Sequence, residues 1–207
     1  MGYRETYLSS AAAYAALLER IPVGRWAGPG LGEWTLRDLV GHTVGAGLSE
    51  VRSVLASTAD RVDIDSPEGY YALAGTVAPE VYAAAVAAST DAARRDGESL
   101  GDEPGVAVRS LIAEVTALLA DVADDDVVVT AGGGMRVAAW LPTRILELTV
   151  HGHDTAAAAG VAFSPDVEAV AAAAALAARI GVAMGEGDTV LRALTGRAVL
   201  PAGFSVL

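Results

Sequence analysis

The chain has 207 residues, of which 53% are hydrophobic and 19% charged, so it is long enough for a full core and too apolar to be disordered. It contains no Cys and all 14 basic residues are Arg, which excludes disulfides, thiolate metal ligands, a Cys nucleophile, a Schiff-base Lys and the Lys of a phosphate-binding loop. A net charge of −12 without any basic stripe argues against nucleic acid or an anionic membrane as partner.

Residues 5–21 carry Leu8, Ala11, Ala12, Ala15 and Leu18 at helical spacing, and Pro22 with the glycines from Gly24 to Gly32 ends that helix. Thr35 followed by Asp38 has the spacing of a capping box, which predicts a second helix over about 36–57. Gly41, Gly45 and Gly47 lie inside it, each costing about 1 kcal/mol relative to Ala. Three such costs in one helix imply that something approaches its backbone closely. Ser66-Pro67 and Ala78-Pro79 open further helices, with helical pattern to about Arg95 and a polar loop from Asp96 to Gly105.

The next helix covers about 105–122, with Val108, Leu111, Ile112, Val115, Leu118 and Leu119 as its apolar stripe. Asp124 to Asp126 is read as a solvated turn, because the alternating ligand spacing of a calcium loop is missing. Residues 127–137, interrupted by Gly132 to Gly134, suggest a small β-hairpin, and the glycine run lacks the Lys and Ser or Thr of a phosphate cradle. Helices over about 142–159, 164–184 and 188–196 complete the chain. With 44 Ala and 5% aromatics, the expectation is an all-α bundle of closely packed helices in one domain, a core of about 5–160 and a helical extension over 161–207. The start has no apolar signal core and the run Ala169 to Ala178 is too short to span a bilayer, so a soluble cytoplasmic protein is expected.

The chemistry concentrates on the helix near residue 150. At 100° per residue Arg144, Glu147, His151 and Asp154 fall within about 80° of arc, and His153 points to the other side. Glu147 and His151, at i and i+4, have the spacing to grip one ion. His42 lies on the second helix with only Gly45 and Ala46 above it. A His from one helix facing a Glu-x-x-x-His from another gives three ligands and an open fourth position. Arg144 is expected to orient Glu147 through a bidentate pair, with a substrate carboxylate as the alternative, and Asp154 to accept a hydrogen bond behind a ligand. Trp34 and Trp140, each just before a helix, read as packing anchors, while Tyr70, Tyr71 and Tyr82 are candidates for a cleft that the sequence does not place.

The segments Gly32-Glu-Trp-Thr-Leu-Arg-Asp-Leu-Val-Gly-His42 and Leu141-Pro-Thr-Arg-Ile-Leu-Glu-Leu-Thr-Val-His-Gly-His-Asp154 together resemble the mycothiol-dependent maleylpyruvate isomerase family of the DinB/YfiT-like superfamily. The ending Leu191 to Arg197 is similar to the close of single-domain actinobacterial members. The resemblance implies a DinB-like four-helix bundle with a divalent metal, usually Zn²⁺, held by His42, Glu147 and His151. It also implies mycothiol as a low-molecular-weight thiol co-substrate and a small electrophile as its target, in an isomerase or a thiol transferase. A module that binds metal or ligand without catalysis is the alternative. The maleylpyruvate isomerases carry a second, C-terminal domain, whereas about 45 residues follow the motif helix here. An Ala-rich bundle admits a homodimer, though no heptad seam specifies one.

Overall fold

A computed structural model describes residues 2–207. The elements are α1 (Tyr3–Leu18), α2 (Leu36–Val44), a π-helical turn (Gly45–Ser49), α3 (Glu50–Leu55), α4 (Pro67–Ala72), α5 (Pro79–Ser99), α6 (Pro104–Asp121), β1 (Val127–Thr130), β2 (Gly133–Arg136), α7 (Val137–Ala159), α8 (Val167–Ala183) and α9 (Gly187–Leu194). α1, the continuous α2–π–α3 rod, α6 and α7 close a four-helix bundle, each packed on two neighbours. α5 lies outside on α2, α8 covers α7 and α4, and α9 rests on α8. This is an all-α, DinB-like fold with one small two-stranded antiparallel sheet.

The core lies between the bundle helices, where Tyr7, Tyr14, Leu36, Leu39, Leu48, Trp140, Leu141 and Ile145 are fully buried. Its two tyrosines still satisfy their hydroxyls, Tyr7 by donating to the carbonyl of Gly47 at 2.7 Å and Tyr14 by bonding Thr155 Oγ1 at 3.2 Å. The capping box is present: Thr35 Oγ1 accepts from the Asp38 N–H at 3.2 Å and Asp38 Oδ2 accepts from the Thr35 N–H at 3.0 Å.

The glycines of the second helix are there for close approach. A Cβ on Gly41 would strike the Ala93 carbonyl and the backbone of Gly97 on α5, and one on Gly47 would stand 2.6 Å from Leu148 on α7. Gly97 makes the reciprocal approach to the carbonyl of Arg37. This contact explains why α5 runs on to Ser99 through a stretch expected to be loop.

The hairpin forms with Thr130 paired to Gly133. Its glycine run has a steric purpose. A Cβ on Gly134 would strike the Arg61 carbonyl, and Asp63 crosses the strand so closely that its N–H donates to Gly134 O at 2.8 Å while its carboxylate accepts from Gly134 N. The expected start of α7 at Pro142 is corrected to Val137. The N–H groups of Val137 and Ala138 donate to the carbonyls of Asp126 and Asp124, so the aspartate turn satisfies the free end of a helix that continues straight from β2. The Asp124 side chain is engaged as well, accepting from Arg4 Nε at 2.8 Å. Among the described residues no single helix is long and apolar enough to cross a membrane.

Candidate metal centre

α2 and α7 pack side by side, and their contact brings together three of the residues singled out in the sequence. Glu147 Oε2 lies 3.4 Å from His151 Nε2 and 3.9 Å from His42 Nε2, so one carboxylate oxygen faces the outer nitrogen of both rings. The two imidazoles meet edge to face with centroids 5.0 Å apart. One ligand atom from each of the three residues lies within 4.8 Å of the others. All three side chains are between 13% and 21% exposed, and His42 and Glu147 line a cleft.

The side chains behind the three are equally specific. Asp154 Oδ2 stands 3.0 Å from His151 Nδ1, which fixes the ring and leaves Nε2 turned inward. Tyr71, on α4, donates its hydroxyl to Glu147 Oε1 at 2.8 Å and so occupies the carboxylate oxygen that does not face the histidines. Trp34 packs on His42 with ring centroids 4.9 Å apart, so this anchor positions a site residue. His153 lies on the opposite side of α7 against Phe163, outside the cluster, where the helical wheel put it.

Burial, reinforced by the neighbouring His151, pushes His42 down to about 4, so its ring is neutral and its lone pair available. Burial alone would raise Glu147, but hydrogen bonds from His151 and Tyr71 and the charge of Arg144 outweigh it and hold the carboxyl at about 2. His151 is likewise opposed by burial, yet its bonds to Asp154 and Glu147 carry it up to about 9. The neutral His42 ring and the ionised Glu147 carboxylate are donors as they stand, and His151, protonated without an ion, becomes the third by releasing its Nε2 proton when a divalent transition metal binds. The donors fit such an ion.

Arg144 departs from its expected role. Its guanidinium, 3% exposed, pairs with Glu50 Oε2 at 2.9 Å and also donates to Thr143 Oγ1 and the Ala46 carbonyl. No bidentate pair with Glu147 forms; Arg144 acts on that carboxylate through space. Its Cζ lies 5.3 Å from the Trp140 ring and 5.5 Å from that of Tyr70.

Glu50 was not legible as a site residue, and the reason is the π turn. In an unbroken α-helix Glu50, eight residues after His42, would lie about 80° away from it; one extra residue in a π turn takes up about 100° and returns it to within about 20°. Glu50 therefore joins His42, Glu147, Arg144 and Tyr70 on the wall of a cleft of about 700 Å³. Tyr70 and Tyr71 border the cluster, whereas Tyr82 is half exposed and takes no part in it.

The family model described as the mycothiol maleylpyruvate isomerase N-terminal domain matches residues 7–156, well over half of the chain and all of the cluster. Comparison with curated proteins and with solved structures gives no match.

Proposed function

Because the chain belongs to the mycothiol maleylpyruvate isomerase N-terminal domain family, we propose that it is a metal- and mycothiol-dependent enzyme directing a thiol at a small electrophile. The observation that carries this reading is the convergence of His42 Nε2, Glu147 Oε2 and His151 Nε2, with His42 and Glu147 on the wall of a cleft. These three residues would hold a divalent metal, zinc being the ion that such a donor set most often takes, and leave a coordination position facing the cleft. Bound there, the metal supplies the Lewis acidity that lowers a thiol's pKa from about 8.5 to below neutrality.

The chain's own groups do the rest. Asp154 holds His151 in the orientation that presents Nε2, and Tyr71 holds Glu147 by its second oxygen. Arg144, tied to Glu50, keeps positive charge beside the site and favours an anionic sulfur over a neutral one. We assign Arg144 and Asp154 to positioning roles behind the three ligands. A thiolate delivered to the cleft adds to an unsaturated carbon, forming a C–S bond; rotation followed by loss of the same thiolate returns an isomerised alkene. Where a leaving group departs instead, a thioether remains. Because the protein has no thiol of its own, the sulfur must arrive with the co-substrate.

The test is turnover of maleylpyruvate and of a panel of alkyl halides and epoxides by zinc-loaded protein, with and without mycothiol. Consumption that requires mycothiol, and is absent in Glu147→Ala, is the expected result. Stoichiometric metal and mycothiol binding with no electrophile consumed would replace the enzyme by a binding module.

A further inference from the structure

The cleft beside the cluster has a neighbour. A second cavity of about 250 Å³ lies between the α2–π–α3 rod, the end of α5 and α6, and the two cavities share Ser49, Arg52 and Asp96 in their linings. Asp96 reaches this junction because Gly45, the first residue of the π turn, has no side chain: a Cβ there would stand 2.5 Å from Asp96 Oδ2. The third glycine of the second helix thus makes room for a carboxylate. The wall that carries Asp96 is firmly held. The Gly41–Gly97 approach seats α5 on α2, and Arg37 donates to the carbonyls of Gly97 and Gly101 at 3.0 and 3.1 Å. Arg52 on α3 pairs with Glu114 on α6 at 3.0 Å and ties the remaining walls together. The cavity is therefore formed before any ligand arrives.

The lining of this cavity narrows what it would hold. Val44, Leu100 and Leu111 supply apolar surface, while Ser49, Ser110 and Asp96 supply two hydroxyls and a carboxylate that bond no other group among the described residues. Such a lining suits a saturated ring with C–H bonds on its face and hydroxyls at its edge. It contains no aromatic side chain on which a nucleobase could stack. Asp96 and Glu114 outnumber the one guanidinium, which is already paired, so a phosphate or carboxylate is disfavoured. The volume is that of about eight waters at about 30 Å³ each, room for one six-membered ring with its substituents.

We infer that this cavity is a subsite for the hydroxyl-bearing end of the thiol co-substrate, with Asp96 accepting from its hydroxyls. The inference rests on the thiol-dependent reading above for what the ligand carries at its other end. A thiol whose sulfur lies at His42, Glu147 and His151 passes its remainder across the junction at Ser49 and Asp96 into the second cavity. The main cleft, where Gly45, Ala46, Ala92, Ala93 and Ala131 make the wall more apolar, is left to the electrophile.

The probe is mycothiol blocked as its S-methyl thioether, which keeps the hydroxyl-bearing rings and has no thiol to offer a metal. Titration calorimetry on metal-free wild type should show saturable binding, weakened about 10–100-fold in Asp96→Ala and in Ser110→Trp. Ser110 is exposed, so the tryptophan fills the cavity from its rim without entering the core, and its thermal midpoint should match the wild type. S-methyl glutathione, which ends in two carboxylates, should bind about tenfold more weakly or worse. No binding by the wild type, binding indifferent to both substitutions, or equal binding of S-methyl glutathione would each overturn the proposal. Failure of the thiol-dependent reading has a different signature: the blocked thiol binds, and free mycothiol binds zinc-loaded protein no more tightly.

Discussion

Tyr71 reaches Glu147 from α4, outside the two helices that carry the cluster, and its hydroxyl occupies the carboxylate oxygen turned away from the histidines. Tyr71→Phe removes that bond together with the hydroxyl's contact to the Thr143 carbonyl at 3.1 Å and leaves the ring in place. Metal affinity should weaken about 10–100-fold, the usual effect of losing a hydrogen bond to a ligand, while stability falls by about 1 kcal/mol. Competition against a chromophoric chelator, beside a urea melt, measures both. Unchanged affinity would show that Glu147 does not need the tyrosine. Arg144 and Glu50 invite a different comparison, because the guanidinium is 3% exposed and the carboxylate 28%. Glu50→Leu strands a buried cation and should cost about 3–5 kcal/mol; Arg144→Met leaves a carboxylate that cleft water can rehydrate and should cost distinctly less. Equal losses in urea denaturation would contradict that asymmetry. At this scale His42, Glu147, His151 and Asp154 were legible, because α-helical spacing fixed three of them on one face of α7 and the family resemblance paired them with His42. Glu50 was not, and Arg144 was given the wrong partner, since both depend on a turn that leaves α-helical periodicity.

The π turn at Gly45–Ser49 is the element that makes the site. Its glycines were visible in the sequence as an unexplained cost, and the implied close approach is what the fold contains. The sequence does not say that the backbone winds wide there, because a π turn has no residue pattern apart from the packing that enforces it. Gly41, one turn earlier, tests the approach itself. Gly41→Ala gains helix propensity of about 1 kcal/mol but puts a methyl into the α5 backbone, and overpacking of that kind costs about 1–3 kcal/mol. A net loss of stability in urea is the expected outcome; a gain would mean that α5 does not sit this close. α7 shows a complementary failure. Pro142 is a sound N-terminal signal, overridden because the carbonyls of Asp124 and Asp126 cap the helix five residues earlier.

At the scale of the whole molecule, the segment after Gly160 packs on the bundle through α8. Ala169 belongs to the main core, and Leu176 and Ile180 of α8 bury against Leu146 of α7, directly before Glu147. A single cooperative unfolding transition should follow, and a chain cut after Gly160 should lose it, because a buried face of α7 would be bared. Two resolved transitions by calorimetry would make the C-terminal helices a separate unit. The central claim remains that His42, Glu147 and His151 hold a metal. It is tested most directly by elemental mass spectrometry on protein purified without chelator or affinity tag, beside a Glu147→Ala/His151→Ala double variant. The account predicts close to one equivalent of a divalent transition metal in the wild type and none in the variant. A wild type that is metal-free and resists reconstitution, or a double variant that keeps its metal, would contradict it.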